Sequence, residues 1–109
     1  GFRPPALLMY SIAACMGIHT YEALHKAGKH VEDVEVETDG ERRPDYPKVY
    51  TKIMLKFRMK GPDLTDKDVR DAIHEALTHT CSIAVMANRV APITCEYEVG
   101  SLKGTVTAA

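Results

Sequence analysis

From Ala6 to Ile18 the chain is apolar at nearly every position, broken only by Ser11 and the hydroxyl of Tyr10. Pro5 stands in the first turn of this run and Gly28 just past its end at Lys26, the punctuation of a helix start and stop. A helix that is apolar all round is predicted to be buried all round. The run is too short before His19 to cross a bilayer, so it reads as a central core helix. Leu8, Ile12, Cys15 and His19 share one of its faces. Between His30 and Asp39 the period drops to two: Val34, Val36 and Thr38 alternate with Glu35, Glu37 and Asp39, which predicts a strand with one wet face. Asp39-Gly40 reads as a turn, and Arg43-Pro44-Asp45-Tyr46-Pro47 as irregular chain. Val49 to Lys60 is the clearest strand, with Val49, Thr51, Ile53, Leu55, Phe57 and Met59 on one side. The two strands most simply pair antiparallel.

Gly61-Pro62-Asp63 ends the second strand, and Thr65 to Asp68 opens a helix with Thr65 as N-cap and Asp68 in the reciprocal capping place. Val69, Ala72, Ile73, Ala76 and Leu77 form its apolar stripe, and the helix is expected to fray near His79-Thr80. Cys81 falls at the join before a short helix over Ser82 to Asn88. Ala91 to Val99 is a last strand with Ile93, Cys95, Tyr97 and Val99 inward, and Gly100 to Ala109 is a weak edge strand or a disordered tail. This order predicts an α+β fold in two layers, the central buried helix and a second helix packed on an antiparallel sheet. Three strands cannot cover both helices. Further strands must come from an upstream segment, from a second copy of the chain, or from both, so an intertwined homodimer is expected.

Composition narrows the function classes. The chain has 109 residues, 45% of them hydrophobic and 27% charged, which suits one globular domain. A net charge of −1 offers no electrostatic attraction to nucleic acid or to an anionic membrane surface. No targeting or lipidation motif is present, and three cysteines do not make a disulfide framework. The expected location is the reducing cytoplasm. Phosphate loops, GxSxG and HExxH are all missing from the sequence, and no cofactor is expected.

Cysteine is where chemistry can lie. Cys15 is mid-helix on an apolar face, where a small thiol is ordinary core material. Cys81 sits at a helix boundary, where a thiol can have its pKa lowered, and Cys95 alternates with core positions of a strand. If the layers bring Cys15 against Cys81, the pair suits thiol redox chemistry: one sulfur is oxidised to sulfenic acid by a peroxide and the other condenses with it. A rival reading takes Cys15 with His19, and His79 with Cys81, as zinc ligands, although neither spacing makes a usual zinc knuckle. Glu32, Asp33, Glu35, Glu37, Asp39 and Glu41 read as a solvated strand face and its turn.

Several of these landmarks occur together in one family. Leu7-Leu8 and Ala13-Ala14-Cys15 resemble the first cysteine motif of the OsmC/Ohr family. Glu41-Arg42-Arg43-Pro44-Asp45-Tyr46-Pro47-Lys48, with the strand through Ile53 and Phe57 to Lys60-Gly61, resembles its middle segment. Leu64, Val69, Ala72-Ile73 and Cys81 resemble the second helix and second cysteine motif, and Pro92-Ile93 the start of the final strand. The resemblance spans nearly the whole chain as a single OsmC-like domain, without the family's upstream strands. It implies two central helices on sheets in an intertwined homodimer, and reduction of organic hydroperoxides in the cytoplasm with electrons from a dithiol. On that reading Cys15 is the peroxidatic thiol and Cys81 the resolving one. The family's peroxidases carry a Glu just before the leucines that orients an activating Arg; here that place reads Pro4-Pro5-Ala6, and Arg3 is the one nearby guanidinium that could take the activating role. An unactivated thiol on an apolar helix is a poor nucleophile. The alternative is therefore an inactive relative that binds a small hydrophobic ligand or senses redox state.

Overall fold

The computed structural model describes residues 3–109. The first helix, α1 (Pro4–Lys26), begins where Arg3 is still extended and prolines occupy the first turn, where no amide needs an intrahelical partner. It stops at Gly28, which takes a positive φ of 78°. The strands are β1 (Asp33–Arg42), β2 (Tyr50–Lys60), β3 (Ile93–Val99) and β4 (Leu102–Val106), side by side in that order. The tail of the chain thus forms an edge strand. Between β2 and β3 come α2 (Asp66–Glu75), one π-helical turn (Ala76–Thr80) and α3 (Ser82–Asn88). The fold is α+β, as the order of elements predicts.

The sheet is mixed and not antiparallel throughout. β1 pairs antiparallel with β2, placing Val36 opposite Phe57, but β2 and β3 run parallel, with Phe57 opposite Tyr97. The reason is the helical crossover: a chain that leaves β2, packs α2 and α3 on one face and returns beside β2 runs in the same direction. Nor does Asp39-Gly40 turn. β1 continues through both residues, and Gly40 is needed because a Cβ there would lie 2.7 Å from the Tyr50 ring. Gly104 on β4 serves the same purpose opposite Tyr97, whose hydroxyl an added Cβ would overlap.

One face of the sheet carries the core. Ile53, Leu55, Phe57 and Met59 of β2 and Ile93, Cys95, Tyr97 and Val99 of β3 bury against Met9, Ile12, Met16 and Leu24 of α1 and Val69, Ala72 and Ile73 of α2. Each of the larger side chains stabilises the fold by about 1.5–3 kcal/mol relative to exposure. α2 starts on the expected capping box: Thr65 Oγ1 accepts from the Asp68 amide at 3.2 Å, and Asp68 Oδ2 accepts from the Thr65 amide at 3.3 Å. Lys29, beyond the end of α1, adds an ion pair to Asp68 at 3.2 Å.

α1 departs from expectation. Its inner stripe is fully buried, but Leu7, Tyr10 and Ile18 are 46%, 54% and 58% exposed. The helix is apolar all round, yet the described residues leave part of its circumference uncovered. No helix among the described residues is long and apolar enough to cross a membrane.

Candidate functional site

Two elements bring a pair of thiols together. Cys15 lies in the middle of α1 on the flank that meets α2 and α3, partly exposed and packed against the core. Cys81 has no exposed surface and follows directly on the π-helical turn. Where a fraying helix end was expected, the backbone widens instead: the Cys81 amide donates to the Ala76 carbonyl at 2.9 Å, a bond spanning five residues. Thr78 Oγ1 donates to the His74 carbonyl at 2.7 Å, and the His79 ring contacts the Glu75 carboxylate at 3.0 Å, bracing this turn from outside. The chain then breaks at Cys81 (φ −87°, ψ 94°) and restarts as α3. The extra residue in the wide turn, followed by this break, leaves the Cys81 side chain inside the fold, against α1.

There the two side chains meet. Burial pushes the Cys81 thiol up to about 12, and its hydrogen-bonding contact with Cys15 adds to the rise. The backbone N–H groups of Ala84 and Ile83, in the first turn of α3, pull the other way. Neither N–H closes a full cap on the sulfur, which is why desolvation wins. All three cysteines are free thiols in this structure. Cys95, buried on β3 between Leu55 and Val106, is likewise pushed up to about 12 by desolvation and does not join the pair.

The other candidate residues do not gather here. Arg3 precedes Cys15 by twelve helical residues, about 18 Å along the axis at 1.5 Å per residue, farther than an arginine side chain extends. Within one chain it cannot be the activator. No arginine, lysine or histidine among the described residues hydrogen-bonds to either thiol. His19 turns to Glu22 at 3.5 Å, and His79 is exposed beside Glu75. Cys15, His19, His79 and Cys81 therefore do not form the zinc set considered from spacing, and no three potential ligands converge among the described residues. A groove of roughly 770 Å³ runs between α1 and β1, lined by residues such as Tyr10, Ala14, Gly17, Ile18, Val34 and Val36, on the flank away from Cys15. Nothing in the sequence reading pointed to it. The small side chains at Ala14 and Gly17 are the one local trace of it.

The sequence profile of the OsmC-like protein family matches residues 1–96. Protein YhfA of Escherichia coli K12 is 33% identical over 96 residues, spanning 88% of this chain and 72% of YhfA. A hypothetical protein from Aquifex aeolicus superposes with a TM-score of 0.85 at 29% identity, over 91% of this chain and 74% of that one. The organic hydroperoxide resistance protein OhrB of Bacillus subtilis superposes with a TM-score of 0.61 at 20% identity, over 91% of this chain and 70% of that one, a likeness of fold. With a family match over most of its length and this architecture, the chain belongs to the OsmC-like family.

Proposed function

We propose that this protein reduces organic hydroperoxides through Cys15 and Cys81, using a dithiol as reductant. The observation that carries the reading is the contact between the two reduced thiols, one reachable from solvent and the other fully enclosed. The fold shared with an organic hydroperoxide resistance protein supports it. Cys15, as thiolate, attacks the terminal oxygen of the hydroperoxide; the O–O bond breaks, and the departing alkoxide takes up a proton to leave as the alcohol. Cys15 is now a sulfenic acid. Cys81, having lost its proton, attacks that sulfur, hydroxide leaves as water, and a disulfide forms. A dithiol returns two electrons and two protons and is itself oxidised to a disulfide. The exposed apolar side of α1, with Leu7 and Ile18, suits cover by a second copy in a homodimer, and the cytoplasm is the compartment that supplies reduced dithiols.

A second reading rests on the electrostatics. Desolvation holds Cys81 as a thiol, and no cation among the described residues contacts either sulfur, which favours a redox sensor or a binder of hydrophobic ligands over a fast peroxidase. Intact mass after one equivalent of cumene hydroperoxide separates the two. A peroxidase loses two hydrogens, its Cys81→Ser variant gains one oxygen, and Cys15→Ser stays unchanged. Turnover with dihydrolipoamide should fall on the order of a thousandfold in Cys15→Ser. An unchanged wild-type mass would reject the peroxidase reading.

A further inference from the structure

The two thiols are unequal in a way that bears on how an oxidised pair is reduced. Cys81 has no exposed surface, and the residues around it in the chain are closed as well: Ala76 and Ala84 have none, and Leu77 has 1%. Its main chain is tied on both sides. The Cys81 amide donates to the Ala76 carbonyl at 2.9 Å, and its carbonyl accepts from the Val85 amide at 3.0 Å. Bringing this sulfur to the surface means opening the π-helical turn or the first turn of α3. Cys15, in contrast, is half-buried on α1. Cover added by a second copy or by further strands would deepen the burial of Cys81 and never relieve it. The inequality therefore does not depend on what else packs on α1, and reduction of a hydroperoxide already requires a path to Cys15.

We propose, resting on the peroxidase reading, that the reducing dithiol enters through Cys15 alone, and that Cys81 is always the sulfur that leaves. Thiol–disulfide exchange needs the incoming thiolate to reach the far side of the sulfur it attacks. At Cys81 every side is filled by this chain. The incoming thiol gives up its proton, a new S–S bond forms to Cys15 as the Cys15–Cys81 bond breaks, and Cys81 departs with the electron pair and takes up a proton. The second thiol of the reductant, likewise deprotonated, then attacks the reductant sulfur bonded to Cys15. A cyclic disulfide leaves, Cys15 is released as thiolate, and two electrons have passed to the pair.

Leaving-group chemistry works against this order. The thiol of lower pKa leaves faster, and burial pushes Cys81 up to about 12. That penalty is on the order of tenfold, and the amides of Ala84 and Ile83 reduce it. Attack on an enclosed sulfur must instead wait for local opening of the turn, which lowers the rate about a hundredfold or more. Access outweighs acidity.

The test forms the disulfide with diamide, so that its outcome is separate from that of the peroxide step. Oxidised protein is mixed with excess glutathione, quenched early in acid and unfolded, and its free thiols are blocked with N-ethylmaleimide. Cys15 and Cys81 fall on different tryptic peptides. The expected result is glutathione on the Cys15 peptide and maleimide on the Cys81 peptide. Glutathione on Cys81, or on both sulfurs alike, overturns the inference. A second measurement serves if the mixed disulfide is too short-lived to trap. In a Cys95→Val background, reduced Cys81→Ser, which keeps Cys15, should react with 2,2′-dithiodipyridine about a hundredfold faster than Cys15→Ser, which keeps Cys81. In urea the two rates should converge. Comparable rates in the folded variants, or a gap that persists in the unfolded chains, would show that enclosure does not choose the sulfur.

Discussion

The two flanks of α1 are built from similar residues and end in opposite states. On the flank toward α2 and α3 the chain closes on itself: the capping box at Thr65 and Asp68 starts α2, the wide turn at Ala76–Thr80 redirects the backbone, and Cys81 is sealed against Cys15. On the outward side Leu7 stays half exposed, and toward β1 Tyr10 and Ile18 do so over an open groove. Hydrophobicity does not separate the flanks. What does is the closeness of the covering elements, because α2 and α3 pack tightly against one side of the helix whereas β1 stands off the other across an open groove.

Core truncation gives the largest contrast. Phe57→Ala, at a site with no exposed surface, should cost about 3–5 kcal/mol, while Ile18→Ala should stay within about 0.5 kcal/mol as long as the chain is monomeric. Urea denaturation of both variants measures the difference. If Ile18→Ala proves as costly as Phe57→Ala, the outward side of α1 is covered in solution and the comparison fails.

Alkaline pH probes the closed flank through its thiols. Cys81 and Cys95 hold their protons more tightly folded than unfolded, their pKa values rising from about 9 to about 12. Their contribution is fully present below about pH 9 and is lost as pH rises toward about 12. The urea midpoint should fall through that window, and Cys95→Val should remove part of the slope. A midpoint that is flat across it would mean that the thiols are not desolvated. The same rise bears on chemistry: well below the folded pKa the Cys81 thiolate fraction grows about tenfold per pH unit, so disulfide closure after peroxide treatment should quicken as pH increases. Stopped-flow detection of the Cys15 sulfenic acid would follow that step.

The smallest expected change lies inside α1. Thr20 is fully buried and its hydroxyl finds no hydrogen-bond partner among the described residues. Thr20→Val keeps the shape and removes the orphaned hydroxyl, so stability should rise by about 1 kcal/mol. Loss of stability, read by the same urea titration, would mean that the hydroxyl is satisfied by a group such as an internal water.

Much of this molecule is local in origin and can be read from short stretches. The alternation in Val49–Lys60, the Thr65–Asp68 cap and the short helix after Cys81 each depend on neighbours a few residues away, and each forms as its pattern predicts. The Cys15 motif and the family resemblance were legible for a similar reason, since they rest on residue identity and order. Other features rest on contacts between distant residues. Gly40 looks like a turn residue beside Asp39, yet it serves the close approach of Tyr50 ten residues away. Arg3 is near the cysteine motif in sequence but some three turns of helix from the sulfur. The apolar run of α1 carries no mark of which side the chain itself covers.

The sequence by itself determined the periods, the caps, the α+β class and the two candidate thiols, because those follow from backbone preference and side-chain chemistry over short spans. Tertiary structure alone decided that β2 and β3 run parallel, that a π-helical turn carries Cys81 inward onto Cys15, and that β1 stands off α1 across an open groove. Each of those outcomes depends on how the helical crossover returns the chain to the sheet, a through-space relation that no local stretch encodes.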